Sequence, residues 1–356
     1  MPESVSVLVG LKADVLVEQG AGARAFVSDK AFEEAGAIAT DRKAVLSDSD
    51  MILSVNALPR DEISALDSSK ILIAAMNPFI NKEIVEELAA KKITAFSLEL
   101  VPRISRAQSM DVLSSMATIT GYRAVLDAAL HLPRFFPMFM SAAGTIKPAK
   151  MLILGAGVAG LQAVAIARKL GAVVEVFDVR SAVKEQVMSL GGKFVEVEGA
   201  TEDSAAGGYA VEQSEEFKQR QGELIQEHVI KSDVVISTAQ IPGQKAPVLI
   251  RKETVAQMQA GSVIIDLAAS TGGNCELTEN DRTIVENGVI IIGNSNYQNG
   301  MPVDASAMFG RNVVNFLKLL IDEEGDLKLD FEDEVVRGTC LTKDGEIVNE
   351  RVKSSI

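Results

Sequence analysis

The chain has few of the residues on which metal binding and covalent chemistry depend. Its 356 residues include two histidines, two cysteines and no tryptophan, and aromatic residues make up only 4%. Cys275 and Cys340 are far apart, and His131 and His228 are isolated, so neither type has the spacing of metal ligands. Two separated cysteines are typical of proteins in a reducing compartment. The sequence therefore predicts no metal site.

Basic residues and long apolar runs are also scarce. The chain has 35 lysines and arginines against 49 aspartates and glutamates, a formal net charge of −14. With no basic cluster, we expect no nucleic-acid surface and no basic amphipathic membrane helix. A spanning helix needs roughly 18 consecutive apolar residues. The most apolar stretch, 124–140, is interrupted by Asp127, His131, Pro133 and Arg134. With no signal segment either, the sequence predicts a soluble chain.

A glycine-rich turn is the most informative feature that is present. The residues Gly155-Ala156-Gly157-Val158-Ala159-Gly160 follow an apolar run directly and open an alanine-rich helical stretch. In such a unit the first glycine allows a tight turn, the second lets the backbone approach a pyrophosphate, and the third lets helix and strand pack closely. The helix N-terminus offers free N–H groups to phosphates. The turn, with Gly155, Gly157, Val158, Ala159 and Gly160, is our predicted dinucleotide site.

Asp178 ends the next apolar run and indicates which dinucleotide binds. A carboxylate there accepts both hydroxyls of the adenosine ribose and repels a 2′-phosphate, which favours NAD(H) over NADP(H). Val179 and Arg180 belong to the same predicted site, although an arginine at that position also attracts a 2′-phosphate. We expect the carboxylate to dominate. The alternative for the whole motif is a plain strand-to-helix turn.

Apolar runs recur through the second half of the chain. They lie at 151–154, 173–177, 193–197, 234–236, 263–265 and 289–292, with helical or loop stretches between them. This alternation predicts a doubly wound parallel sheet, whose ligand crevice lies at the carboxyl ends of the strands. Ala239, Gln240 and Asp266 follow or end such strands, and we include them in the cofactor-binding site.

The first half repeats the alternation more weakly. Candidate strands lie at 14–17, 51–54, 71–74 and 93–97, and long helical patterns at 107–132 and 305–321 carry the chain across and back. We predict an α/β architecture of two Rossmann-like doubly wound parallel-sheet domains, joined by long helices with a cleft between them. The first domain is residues 1–120 with 310–356, and the nucleotide domain is 121–309. Ligands commonly bind in such clefts.

The segment 101–111 is dense in hydrogen-bonding side chains. The Gln108 carboxamide suits pairing with a nicotinamide carboxamide, and Arg103 suits orienting Asp111 or meeting a phosphate. An ordinary helix N-terminus is the alternative, with Ser105 as cap and Gln108 completing a capping box. The chemistry of the residues leaves both interpretations open.

The stretch Arg103-Ile104-Ser105-Arg106-Ala107-Gln108-Ser109-Met110-Asp111 resembles the Arg–Gln–Asp loop of the NAD(H)-binding component of proton-translocating NAD(P) transhydrogenase. Three further sets of segments are similar to the same family: 155–160 with 177–180 and 184–187, 239–247, and 265–268 with 272–276. The resemblance extends from about Pro2 to about Val348.

This resemblance implies a definite function. The component binds NADH and passes hydride to NADP⁺ on a separate NADP(H)-binding component, while a membrane-spanning component couples the step to proton movement. Arg103, Gln108 and Asp111 would hold the nicotinamide end, joined by Ser114, and Tyr209 would lie in a loop that closes on the nucleotide. The family also implies a homodimer attached peripherally to the cytoplasmic side of the inner membrane. Direct hydride transfer needs no acid, base or nucleophile from the protein.

Alanine dehydrogenase resembles the same stretches and is the rival interpretation. Its family uses a lysine and a histidine at strand ends of the first domain, where this chain has Ser54-Val55-Asn56 and Ala74-Ala75-Met76-Asn77. The absence of both residues counts against alanine oxidation. A non-catalytic NAD-binding protein is a third interpretation. Transhydrogenase components usually begin with a further strand, so we expect the first domain to lack it. We expect the membrane helices to belong to another chain.

Overall fold

A computed structural model describes residues 1–196, 215–241 and 243–356, with only the backbone of residues 215, 217 and 218. Two compact units divide the chain. Unit 1 is Met1–Met116 with Pro302–Ile356, and unit 2 is Ala117–Met301. Tyr209, in the loop expected to close on the nucleotide, lies outside the described residues.

The N-terminal segment of unit 1 alternates short helices and strands. Its elements are α1 (Pro2–Gly10), β1 (Leu16–Glu18), α2 (Asp29–Glu34), β2 (Ile38–Thr40), α3 (Arg42–Asp48), β3 (Met51–Asn56), α4 (Arg60–Ala65), β4 (Ile71–Ala75), α5 (Lys82–Ala90) and β5 (Thr94–Ser97). Strands β3, β4 and β5 are parallel neighbours, and β1 and β2 form a separate parallel pair. The predicted strands over β3, β4 and β5 are confirmed to within two residues, whereas β2 was not predicted.

Unit 2 is built on one large sheet. Its elements, of which the first begins in unit 1, are α6 (Val112–His131), β6 (Phe139–Ser141), β7 (Gly144–Ile146), β8 (Lys150–Leu154), α7 (Val158–Lys169), β9 (Val173–Phe177), α8 (Lys184–Ser189), β10 (Lys193–Phe194), α9 (Glu215–Ile230), β11 (Val234–Ser237), α10 (Lys252–Val255), β12 (Val263–Asp266), β13 (Arg282–Glu286) and β14 (Val289–Gly293). Across the described residues the sheet order is β10-β9-β8-β11-β12-β14-β13, and only β13 is antiparallel to its neighbour. Strand order reverses between β8 and β11, which is where such sheets bind ligands.

Helices cover both faces of this sheet, and the strand sequences show why. Met151 and Ile153 of β8 face a core with residues of α6 and α7, whereas Leu152 and Leu154 face a second core with residues of α9. All four side chains are at most 1% exposed. Strands buried on both faces have unbroken apolar runs, and for that reason the six parallel strands could be predicted. Edge strand β13 was missed because most of its residues are exposed or polar.

The C-terminal segment completes unit 1. It contains α11 (Pro302–Leu317), α12 (Glu334–Thr339), β15 (Cys340–Lys343), β16 (Glu346–Ile347) and α13 (Glu350–Lys353). Strand β15 pairs with β5, and β16 with β15, both antiparallel. The sheet of unit 1 is therefore mixed, whereas we expected a parallel one. Phe316 of α11 packs edge-on against Phe96 of β5, with ring centroids 5.6 Å apart. Helices α4, α5 and α13 cover the other face.

Candidate dinucleotide site

The glycine turn follows β8 at the point where strand order reverses. Gly155 has φ +103°, a conformation that side chains rarely adopt. Its N–H donates to the Phe177 carbonyl at 2.8 Å. A Cβ on Gly155 would lie 2.4 Å from Thr238 Oγ1. The turn therefore requires glycine here, both for its conformation and for the closeness of the loop after β11.

The other two glycines place the N-terminus of α7. A Cβ on Gly160 would lie 1.9 Å from the Gly155 carbonyl oxygen, so the first turn of the helix sits directly on the strand end. By contrast, a Cβ on Gly157 would meet no described atom within 4 Å. No side chain of the described residues caps this helix. Its first N–H groups are thus left to an external acceptor, and the open space at Gly157 fits a phosphate group.

Helix α6 packs behind this turn, a contact that the sequence did not reveal. A Cβ on Gly121 would lie 2.1 Å from the Ala159 carbonyl oxygen. The two helices therefore approach at backbone distance, next to the first turn of α7. Glycine inside a long helix was the available signal, since it lowers helix stability and commonly marks close packing.

Asp178 and Arg180 form one hydrogen-bonded unit after β9. Asp178 Oδ2 accepts from the Ala156 N–H at 2.7 Å and from Arg180 Nη2 at 2.7 Å. Its Oδ1 accepts from the N–H and the Nε of Arg180, both at 2.9 Å. The Asp178 side chain is only 5% exposed. Its hydrogen bonds raise the pKa of the Arg180 guanidinium, which stays charged. The sequence treated these residues as competitors, but in the structure they bind each other.

The loops after β11 and β12 are held together by buried polar side chains. Asn274 is fully buried: its Oδ1 accepts from the Ala239 N–H at 3.0 Å, and its Nδ2 donates to the carbonyls of Ala239 and Pro247 at 2.9 and 2.8 Å. Gln240 Nε2 donates to the Leu267 carbonyl at 2.9 Å. Asn274 was not predicted, although an asparagine after two glycines at a strand end suits a role in fixing loops.

Asp266 stands at the centre of the second of these loops. Its side chain is fully buried and accepts hydrogen bonds from the N–H groups of Ala268, Asn274 and Cys275 at 3.0, 2.7 and 2.9 Å, and from Thr278 Oγ1 at 2.6 Å. The sequence placed Asp266 against the cofactor. In the structure its partners belong to its own loop, so we assign it to positioning Asn274.

Residues 103–114 of unit 1 begin with a 3₁₀ turn over Ser105–Met110. The capping-box interpretation is wrong, because Ser105 and Gln108 lie inside this turn and α6 begins later. Asp111 supplies the cap: its Oδ1 accepts from the Ser114 N–H at 2.9 Å, and its Oδ2 accepts from the Ser114 hydroxyl at 2.6 Å. The structure thus brings together Asp111 and Ser114. The side chains of Arg103 and Gln108 are exposed on the same segment.

The C-terminal segment of unit 1 holds this turn in place. Asn312 and Asn315 of α11 donate to the Ser109 carbonyl at 2.8 and 3.2 Å. Arg106 donates both Nη atoms to Asp333, at 2.9 and 2.7 Å. Residues about 200 positions away along the chain therefore fix the backbone that carries Gln108.

A carboxylate occupies the carboxyl ends of β4 and β5 in unit 1. Glu99 accepts from the N–H groups of Met76 and Asn77 at 3.0 and 2.8 Å, and from the Ser97 hydroxyl at 2.6 Å. Among the described residues no cluster of histidine, cysteine or acidic side chains is placed to hold a metal. Nor does any described helix have the length and apolar character needed to cross a membrane.

The sheet order, the glycine turn and Asp178 define unit 2 as a dinucleotide-binding domain of the Rossmann type. Comparison with known proteins identifies the family. The model described as "Alanine dehydrogenase/PNT, N-terminal domain" matches residues 1–120, and that of the C-terminal domain matches residues 124–350. The chain belongs to the alanine dehydrogenase/PNT family.

Individual relatives fall on both sides of this family. The first portion of the NAD(P) transhydrogenase subunit alpha of Rhodospirillum rubrum is 48% identical over 98% of this chain and 93% of its own length. The crystal structure of transhydrogenase from Sinorhizobium meliloti matches with a TM-score of 0.88 and 43% identity, over 98% of this chain and 95% of that one. A structure of L-alanine dehydrogenase matches with a TM-score of 0.80 at 23% identity, over 100% and 94% of the two chains, and shows the fold alone.

Proposed function

We propose that this chain is the NAD(H)-binding component of a proton-translocating NAD(P) transhydrogenase. The observation that carries the proposal is the Gln108 segment, because it distinguishes the transhydrogenase side of the family from the dehydrogenase side. The identity of 48% with a transhydrogenase subunit, against 23% with the L-alanine dehydrogenase of known structure, supports it.

Unit 2 would bind NAD(H) through the glycine turn. The N–H groups at Val158 and Ala159 would meet the pyrophosphate, in the open space at Gly157, and Asp178 would accept the adenosine ribose hydroxyls. The loop containing Ala239 and Gln240 adjoins the turn through Thr238, whose Oγ1 donates to the Gly155 carbonyl at 3.2 Å. The remaining predicted contacts, Val179 and Arg180, follow Asp178 directly.

The Arg103–Ser114 segment would position the nicotinamide end. The cofactor supplies the hydride, so the protein must orient the ring and exclude water. The exposed Gln108 carboxamide suits hydrogen bonding to the nicotinamide carboxamide, and Arg103 suits the phosphate groups. Asp111 would act with Ser114, since the two are already hydrogen-bonded. The hydride acceptor is NADP⁺ on the NADP(H)-binding component, and a membrane-spanning component would couple transfer to proton movement and hold this chain at the membrane.

Alanine oxidation is the competing function, and the strand ends of unit 1 disfavour it. That reaction needs groups to take up protons and to bind the substrate carboxylate. At the ends of β3 and β4 the chain has Asn56 and Asn77 instead of lysine or histidine. The carboxylate nearby, Glu99, accepts three internal hydrogen bonds and would repel an amino-acid carboxylate.

A homodimer is also included in the proposal. The hairpin of β6 and β7 in unit 2 exposes Phe139, Met140 and Ile146 at 46%, 71% and 41%. Phe135 stacks on Phe139 with centroids 5.0 Å apart. Clustered apolar side chains in water favour cover by another protein surface, and a second copy of the chain would provide it. Light scattering should give twice the mass of the chain.

The deciding experiment adds the purified NADP(H)-binding component to this chain and follows transfer between NADH and NADP⁺. An alanine/pyruvate assay with NAD⁺ runs beside it. We expect transfer in the first assay and none in the second. Alanine-dependent reduction of NAD⁺ would instead assign the chain to the dehydrogenases, and NADH binding without either activity would indicate a non-catalytic role.

A further inference from the structure

The Asp178–Arg180 unit leaves no acceptor site for a ribose. A carboxylate offers about four acceptor positions. In Asp178 all four are filled, two by the N–H groups of Ala156 and Arg180 and two by the Arg180 guanidinium. The carboxylate is also almost entirely covered, at 5% exposed, while Arg180 is 27% exposed. A ribose can therefore reach Asp178 only if the more exposed partner moves.

We propose that Arg180 is a specificity-determining residue, which masks Asp178 in the free protein and is displaced by the hydroxyls of the adenosine ribose. This inference rests on the proposed binding of NAD(H) by unit 2. The two backbone donors belong to the turn and to the chain after β9, so they stay. The two guanidinium donors come from one flexible side chain, and two ribose hydroxyls replace them one for one.

This exchange separates the two nucleotides. NAD(H) returns two hydrogen bonds to Asp178 after displacing the guanidinium. NADP(H) carries a 2′-phosphate in place of one hydroxyl, so it returns fewer hydrogen bonds and places a dianion next to a carboxylate. Arg180 attracts that phosphate only once its own charge is no longer matched by Asp178. The arginine therefore does not favour NADP(H) while the carboxylate is present.

Arg180→Met tests the mask directly. The variant frees two acceptor positions on Asp178, so NADH should bind about fivefold more tightly, measured as a dissociation constant by NADH fluorescence. Lys184→Met is the matched control, because Lys184 is a cation of the same loop region, paired with Glu196 and not with Asp178. It removes the same charge and should leave NADH binding unchanged or slightly weaker. Arg180→Lys keeps the charge without the two-pronged contact and should tighten binding in the same direction.

A cycle with Asp178→Asn tests the second half of the inference. Alone, Asp178→Asn releases Arg180 and should tighten NADPH binding about tenfold, whereas Asp178→Asn combined with Arg180→Met should abolish that gain. Circular dichroism checks that each variant is folded. NADH binding by Arg180→Met that is no tighter than by Lys184→Met would overturn the inference, as would an equal NADPH gain in the double variant. Failure of the wild-type chain to bind NADH would overturn the proposed function as well.

Discussion

Asn274→Ala is the perturbation whose consequence the structure predicts most directly. The amide makes three hydrogen bonds that join the loop after β12 to the loop after β11, and it is fully buried. Alanine leaves the Ala239 N–H and the carbonyls of Ala239 and Pro247 without these partners. Each intramolecular hydrogen bond contributes about 0.5–1.5 kcal/mol, and a group left unsatisfied costs more. We therefore expect a loss of about 2–4 kcal/mol in the free energy of unfolding of unit 2.

A domain of this size loses about 2–4 °C of melting temperature per kcal/mol, so the midpoint of unit 2 should fall by about 4–16 °C. Scanning calorimetry measures it, since the two units can unfold separately. Asn274→Asp should be no better than alanine, because it replaces the donor facing two carbonyls with an acceptor. Asn280→Ala is the matched control, since that amide is exposed and bonds only to the neighbouring Asp281.

The same variant should bind NADH more weakly in the folded state, because Ala239 is no longer fixed beside the glycine turn. We expect a dissociation constant raised about tenfold at a temperature well below the midpoint. A midpoint within about 2 °C of the wild type would show that water replaces the amide and that our count of unsatisfied groups is wrong. Unchanged NADH affinity together with a lowered midpoint would show that this loop does not touch the cofactor.

Three further predictions concern single positions. Gly160→Ala should prevent stable folding of unit 2, because its Cβ would lie 1.9 Å from a carbonyl oxygen; Gly157→Ala should keep the melting temperature while weakening NADH binding, because its Cβ points into open space. Burial raises the pKa of the Cys275 thiol to about 11 and that of Cys340 to about 12, so neither forms thiolate at mildly alkaline pH. A thiol reagent should label neither in the native protein and both after denaturation. Gln108→Asn should bind NADH normally yet slow hydride transfer, because the shorter side chain misplaces the carboxamide.

Each of these has a result that contradicts it. A folded Gly160→Ala variant with native NADH affinity would refute the close contact between helix and strand. Rapid native labelling of Cys275 would show that its surroundings open in solution. Equal transfer rates for Gln108→Asn and the wild type, at saturating NADH, would remove that carboxamide from the reaction.

The elements that could be predicted from the sequence are those whose residues contact water or core in a regular pattern. Strand β8 was predicted because both of its faces are buried, so its apolar residues are consecutive. Strands β13 and β15 were not predicted, because one is an exposed edge and the other is fixed by pairing with the distant strand β5. The start of α6 was predicted too early, because Ser105 has the residue type of a cap and only the fold shows that Asp111 fills that role.

The sequence by itself determined the class of this protein. The glycine spacing, the strand that precedes it and the acidic residue that ends the next strand are local features, and a turn with φ +103° at Gly155 depends on few other regions of the chain. The Gln108 segment could likewise be recognised as a continuous stretch of residues.

Only the tertiary structure decided what the polar side chains do. Arg180 binds Asp178, Asp266 is enclosed by its own loop, and Asn312 holds the turn that carries Gln108. Residue type shows which hydrogen bonds a side chain can make, but the partner is chosen by strand order and loop packing, which bring together groups that are distant in the chain. For this reason the cofactor site could be located from the sequence, whereas its internal contacts required the fold.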